Sequence, residues 1–147
     1  MTALLAASHY LAIGLGFSGL LLRMLELKYA TPGSPLKRIF IGDGLWGIAF
    51  LLWLTTGLSR AFLGFEKGTP YYMHSHWFWL KMTLVFVILL LELKPMITLI
   101  QWRVQKKKSV ESNDLPVMRK MYLISHIELA LLAFVPFIAS IMARGGL

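Results

Sequence analysis

The chain of 147 residues has no cysteine, which excludes disulfides, thiolate metal sites, iron-sulfur clusters and thiol nucleophiles. Acidic residues are scarce: seven Asp and Glu stand against fifteen Lys and Arg, a net charge of +8. No Ser-His-Asp arrangement and no H-E-x-x-H motif occurs, so hydrolytic chemistry has no support. No polar stretch is long enough to form a soluble domain. Any chemistry must come from histidines, carboxylates and lysines.

What the chain has in abundance is apolar sequence: 57% of residues are hydrophobic and the mean hydropathy is +0.66. Four stretches, 4–27, 39–63, 77–100 and 121–142, are each long enough to cross a hydrocarbon core of ~30 Å as a helix at ~1.5 Å per residue. Lipid offers no water to unpaired backbone groups, so these spans must be helices. The fold expected is all-α: one integral-membrane four-helix bundle occupying residues 1–147. The first stretch has no preceding Lys or Arg and no small-residue cleavage site after it, and reads as a retained helix. The basic residues flank spans and are not interleaved with stacking aromatics, which points to anionic lipid headgroups and away from nucleic acid.

Charge also orients the bundle. Arg23, Lys28, Lys37, Arg38, Arg103, Lys106, Lys107, Lys108, Arg119 and Lys120 lie at the ends joined by the first and third loops, while Arg60, Lys67 and Arg144 lie at the opposite ends. Ten cations against three place both loops in the cytoplasm of a bacterial inner membrane, with both termini periplasmic. The first loop carries Thr31-Pro32-Gly33-Ser34-Pro35 as a helix stop, and the second carries Tyr71 and Tyr72 as an interfacial aromatic pair beside Trp77 and Trp79. The third loop, 104–115, is the most polar segment and the best candidate for mobility; it is expected to be a solvated linker, with lipid contact as the alternative. Pro95 and Pro136 fall inside spans and should bend them.

Two stretches, Gly14 to Gly19 and Gly42 to Gly47, match G-x-G-x-x-G, but neither follows a strand in a βαβ unit, so the dinucleotide reading is rejected. Such glycines let another helix, or a flat ligand, approach the backbone. An ionisable side chain inside a span costs ~2.5–3.5 kcal/mol or more at its centre, so it usually faces protein or a polar cavity. Converting sequence offset to depth gives two polar layers. His9 and Lys81 fall ~7 and ~10 Å to the outer side of the midplane, with Arg60 and His76 nearer that surface. His126, Glu92 and Glu128 fall ~6 Å or less to the inner side, with Asp43 and Arg23 ~12–13 Å away. His9, Gly16 and Arg23 share a face, as do Lys81 and Glu92, and as do His126, Ala130, Ala133 and Phe137. His126 and Glu128 are ~200° apart and cannot both face the bundle axis. Arg23, Asp43, Glu92 and Glu128 are candidates for a buried charge network, with Glu92–Lys94 and Arg23–Asp43 as possible pairs.

The run Gly57-Leu58-Ser59-Arg60, with Lys67-Gly68, Tyr71-Tyr72, Phe78-Trp79-Leu80-Lys81, Phe86, Pro95, Trp102-Arg103, Pro136 and Met142-Ala143-Arg144-Gly145, resembles the bacterial predicted membrane protein family called domain of unknown function 2214. Asp43 with Gly47 fits the same pattern. That resemblance implies no particular reaction. A weaker one, carried by His9, by Phe78-Trp79-Leu80-Lys81 and by four short spans, is to the haem-carrying membrane protoporphyrinogen oxidase and to copper-resistance membrane domains. Ile127-Glu128-Leu129 stands where the oxidase has an Asn-Glu-x-Pro element.

Together with the depth match of His9 and Lys81, the weaker resemblance implies a b-type haem or related tetrapyrrole serving electron transfer or oxidoreduction, with quinone as partner. His9 would be the axial metal ligand, with Lys81, His76 or an open site opposite it, and Lys81 alternatively a proton or propionate partner; His126, at another depth, would be a separate ligand. Arg60 would hold an anionic group, and Gly16 and Gly19 would make room for the macrocycle. The alternatives are a non-enzymatic membrane component (a small transporter, a proton-conducting unit, or an accessory subunit or homo-oligomer) and copper handling by His9, His74 and His76.

Overall fold

The computed structural model describes residues 2–63, 70 and 73–144, except for the side chains of Thr2 and Ala143. The Tyr71–Tyr72 pair, Lys67 and Gly68 lie outside the described residues. Four long helices account for nearly all of the rest: α1, Thr2–Lys28; α2, Lys37–Phe62; α3, His76–Val104; and α4, Leu115–Ala143, which is entered through a 3₁₀ turn at Ser112–Asp114. All four are long and apolar enough to cross a membrane. The helices run past the apolar stretches at the basic end, because Arg103, Arg119 and Lys120 continue them into the headgroup region. Both internal prolines stay within continuous helix, Pro95 in α3 and Pro136 in α4.

The bundle is an up-down ring with one loose side. Helix α1 packs against α2 and α4, and α4 packs against α3, whereas α2 and α3 make no comparable backbone contact. The α1–α2 crossing is tight because of the glycines. A Cβ on Gly19 would sit 2.8 Å from Gly42 O and 2.7 Å from Trp46 N, and one on Gly42 would sit 2.7 Å from Arg23 N. Side-chain-free positions let two backbones meet, and dispersion then replaces the hydrophobic drive that lipid cannot supply. The midsection is a dry plug of Leu20, Trp46, Ile88, Leu132 and Val135. Large apolar side chains such as Ile48, Leu51, Phe86 and Phe134 point outward, as a lipid-facing surface requires.

The third loop departs from the mobile linker that its polarity suggests. Gly33 N donates to Val110 O, Val110 N to Ser34 O and Leu36 N to Lys108 O, so the first and third loops form an antiparallel bridge at Pro35 and Ser109. Val110 is buried with Leu36, Ile39, Trp102 and Met118. Lys106, at φ 53°, turns the chain back after α3. Lys107 Nζ then reaches Asp114 at 2.7–2.8 Å. That hydrogen bond raises the Lys107 ammonium above the ordinary lysine value. A single apolar residue and a left-handed turn outweigh the segment's polarity.

Candidate functional site

Arg23 lies one and a half turns from the end of α1, where a long cation would ordinarily reach for the surface. It points inward instead and is fully buried. Helical side chains lean toward the helix N-terminus, which for α1 is toward the midplane, and Gly42 lets the α2 backbone close on the Arg23 N and Cα. All five guanidinium N–H donors are used. Nε donates to Ser125 Oγ at 3.1 Å, Nη1 to Asp43 Oδ1 at 3.1 Å and to Glu92 Oε1 at 2.7 Å, and Nη2 to Glu92 Oε2 at 2.7 Å and to Glu128 Oε2 at 2.8 Å. The Glu92 pair is bidentate, the strongest geometry available to arginine. Asp43 is shared: its Oδ2 accepts from Arg103 Nη2 at 2.7 Å, and the same nitrogen donates to Phe40 O.

One cluster therefore joins all four helices: Arg23 from α1, Asp43 from α2, Glu92 and Arg103 from α3, and Ser125 and Glu128 from α4. It holds three carboxyls against two guanidiniums. Glu128 is fully buried, and its Oε1 has no hydrogen-bond partner among the described residues. Arg103 is the most exposed member, with 39% of its side chain accessible at the basic end, and Glu92 keeps 17%.

The structure brings Arg23, Asp43, Glu92 and Glu128 into direct contact, although sequence offset alone puts Arg23 and Glu92 at different depths; the length and inward lean of the arginine close that gap. Glu92 pairs with Arg23 and not with Lys94, which is exposed. Two members escape the sequence pattern. Arg103 reads there only as a flanking charge, although it follows Glu92 by eleven residues and so shares its face. Ser125 precedes Glu128 by three, and that one-turn spacing is the available signal.

The second polar locus lies near the termini, on the loose α2–α3 side. His9 from α1, Trp53 and Gly57 from α2, and Phe78, Lys81 and Val85 from α3 line one cleft. Thr56 Oγ1 gives its proton to Leu52 O at 2.6 Å, so it accepts from His9 Nδ1–H at 2.9 Å. The indole ring of Trp53 lies 6.1 Å from His9, and its buried Nε1–H has no acceptor among the described residues. Arg60 lies over the Tyr10 ring at 5.9 Å. The cleft volume is about 30 Å³, enough for a water molecule or two.

That geometry does not fit a tetrapyrrole. The space beside Gly16 and Gly19, expected to admit a macrocycle, is filled by α2: the Trp46 ring stands 3.0 Å from a Cβ at Gly16, and backbone closes on Gly19. His126, whose face with Ala130, Ala133 and Phe137 is a sequence candidate, points outward against Tyr122, because Glu128 takes the inward direction. His76 is exposed at the start of α3, and His74 is exposed with Nδ1 against Pro70 O. No group of three or more His, Asp or Glu suited to a metal ion occurs among the described residues.

Comparison with curated proteins and with solved structures finds no match. Four apolar helices wrapped around a buried ionic cluster describe a membrane protein, and the family comparison agrees: residues 1–146 match the family described as predicted membrane protein (DUF2214), to which the chain belongs.

Proposed function

We propose that the chain is a non-enzymatic, proton-responsive membrane component, of the small-transporter or accessory-subunit class, and that its working part is the Arg23 cluster. The carrying observation is the charge count. Three ionised carboxyls and two guanidiniums would leave one uncompensated negative charge inside the bilayer, where an unpaired ion costs several kcal/mol. One proton on Glu128, whose Oε2 meets Glu92 Oε2 at the same Arg23 nitrogen, removes that charge. Glu128 Oε1 is the position for it.

Access to this proton is one-sided. The plug of Leu20, Ile88 and Leu132 separates the cluster from the His9 cleft, while the Asp43–Arg103 pair reaches the basic end. With that end in the cytoplasm, as the charge asymmetry favours, the cluster exchanges protons with the cytoplasm. Loss of the proton adds a charge at a point where all four helices meet, and that is how pH would act on packing.

Infrared titration of the reconstituted protein tests this. A protonated-carboxyl C=O band at neutral pH, lost in Glu128→Gln and kept in Glu26→Gln, is expected. Absence of the band from the wild type would refute the reading.

A second reading is favoured by the orphaned Trp53 N–H beside His9 and Lys81: a lipophilic carbonyl ligand such as a quinone, entering between α2 and α3. It requires the cleft to widen. Thermal stabilisation by an added quinone would support it, and a Soret band in the purified protein would revive haem.

A further inference from the structure

The loose α2–α3 side has a second opening at the basic end, which shares Arg103 with the proton site. A surface groove of about 560 Å³ is lined by Lys37, Phe40, Ile41, Gly44, Arg103 and the Lys107–Lys108 pair. The cations there are not equivalent. Arg103 is committed to Asp43 and to Phe40 O and lies 5.1 Å from the Phe40 ring, and Lys107 is committed to Asp114 and Glu111. Lys37 and Lys108 are exposed and have no ion-pair partner among the described residues. The loop bridge fixes their relation, since Leu36 N, next to Lys37, donates to the carbonyl of Lys108 itself. The groove thus keeps two uncompensated positive charges on a rigid frame, in the headgroup zone where a long apolar helix begins.

Beyond the groove, toward the midplane, the exposed face of α2 is apolar. Ile41, Gly44, Ile48 and Leu51 follow one another at helical spacing on α2, and Ile41, Ile48 and Leu51 are 46%, 64% and 62% exposed. A Cβ on Gly44 would meet nothing within 4 Å, so this glycine leaves open space on that face and is not packed against a neighbour like Gly19.

We infer that this groove is a binding site for one anionic phospholipid, its phosphate held by Lys37 and Lys108 and an acyl chain lying along Ile41, Gly44 and Ile48. Charge complementarity selects an anionic headgroup, and the continuous apolar strip selects a lipid over a free phosphate. Each lysine near an anionic headgroup changes binding about fivefold, so the pair accounts for roughly 30-fold.

Native mass spectrometry of the full chain released from nanodiscs of mixed phosphatidylglycerol and phosphatidylcholine reads this directly. One phosphatidylglycerol should be retained in preference to phosphatidylcholine, and K37Q/K108Q should lower that preference roughly 30-fold with an unchanged melting temperature. Gly44→Leu should also lower it, by filling that open space with every charge in place. R119Q/K120Q, which removes two exposed cations from α4 at the same end, should leave it unchanged. Equal retention of the two lipids by the wild type, equal loss in R119Q/K120Q, or displacement of the lipid by inorganic phosphate would each overturn the assignment.

Discussion

Replacing Arg23 with methionine keeps most of the buried volume and removes the only hydrogen-bond donor that reaches Glu92 and Glu128 among the described contacts; Asp43 keeps Arg103. If one of the two glutamates already carries a proton, the variant must bind one more. Holding a glutamate protonated at pH 7, against an ordinary value of ~4.3, costs about 1.4 kcal/mol per pH unit, or about 4 kcal/mol. This agrees with the ~3–5 kcal/mol found when one partner of a buried pair is removed. The sign of the pH dependence follows: the folded variant binds more protons than the unfolded chain, so its stability rises as pH falls, and at pH 5 the deficit should shrink to about 1 kcal/mol. Detergent-denaturation equilibria at the two pH values measure this. Arg38→Met, which breaks only an exposed 3.4 Å contact with Glu26, is the control, and R23M/E92Q/E128Q should recover most of the loss because no charge is left to strand. An Arg23→Met protein no less stable than the Arg38→Met control, or equally unstable at both pH values, would refute the account of the cluster.

Two further outcomes follow from packing and loop geometry. Gly19→Ala should cost about 1–3 kcal/mol in the same assay, because its Cβ meets backbone at 2.7–2.8 Å, whereas Gly14→Ala, with nothing within 4 Å, should be neutral or slightly stabilising. Asp114→Asn removes the charge that Lys107 grips and should speed hydrogen exchange at the Val110 amide several-fold. Since Lys107 lies above and Asp114 below its ordinary value in the fold, the clamp is complete at neutral pH and releases as pH rises through the lysine range or falls through the carboxylate range.

The sequence by itself determined the four spans. Their length and the absence of water in the hydrocarbon core leave no other structure, and a lone arginine, aspartate or glutamate inside a span has to find a partner. It also determined that His126 and Glu128 could not both face inward, because that depends only on the angle between them. Three matters were left to tertiary structure. The reach and lean of Arg23 gathered side chains that backbone depth had separated, and brought in Arg103. The use of Gly16 and Gly19 depended on what came to fill them, and helix α2 did, with Trp46. The order of the third loop depended on a partner, since its hydrogen bonds go to residues 33, 34 and 36, roughly seventy positions away. Periodicity and hydropathy describe how one helix meets its solvent; which polar groups meet each other is decided only when four helices choose their neighbours.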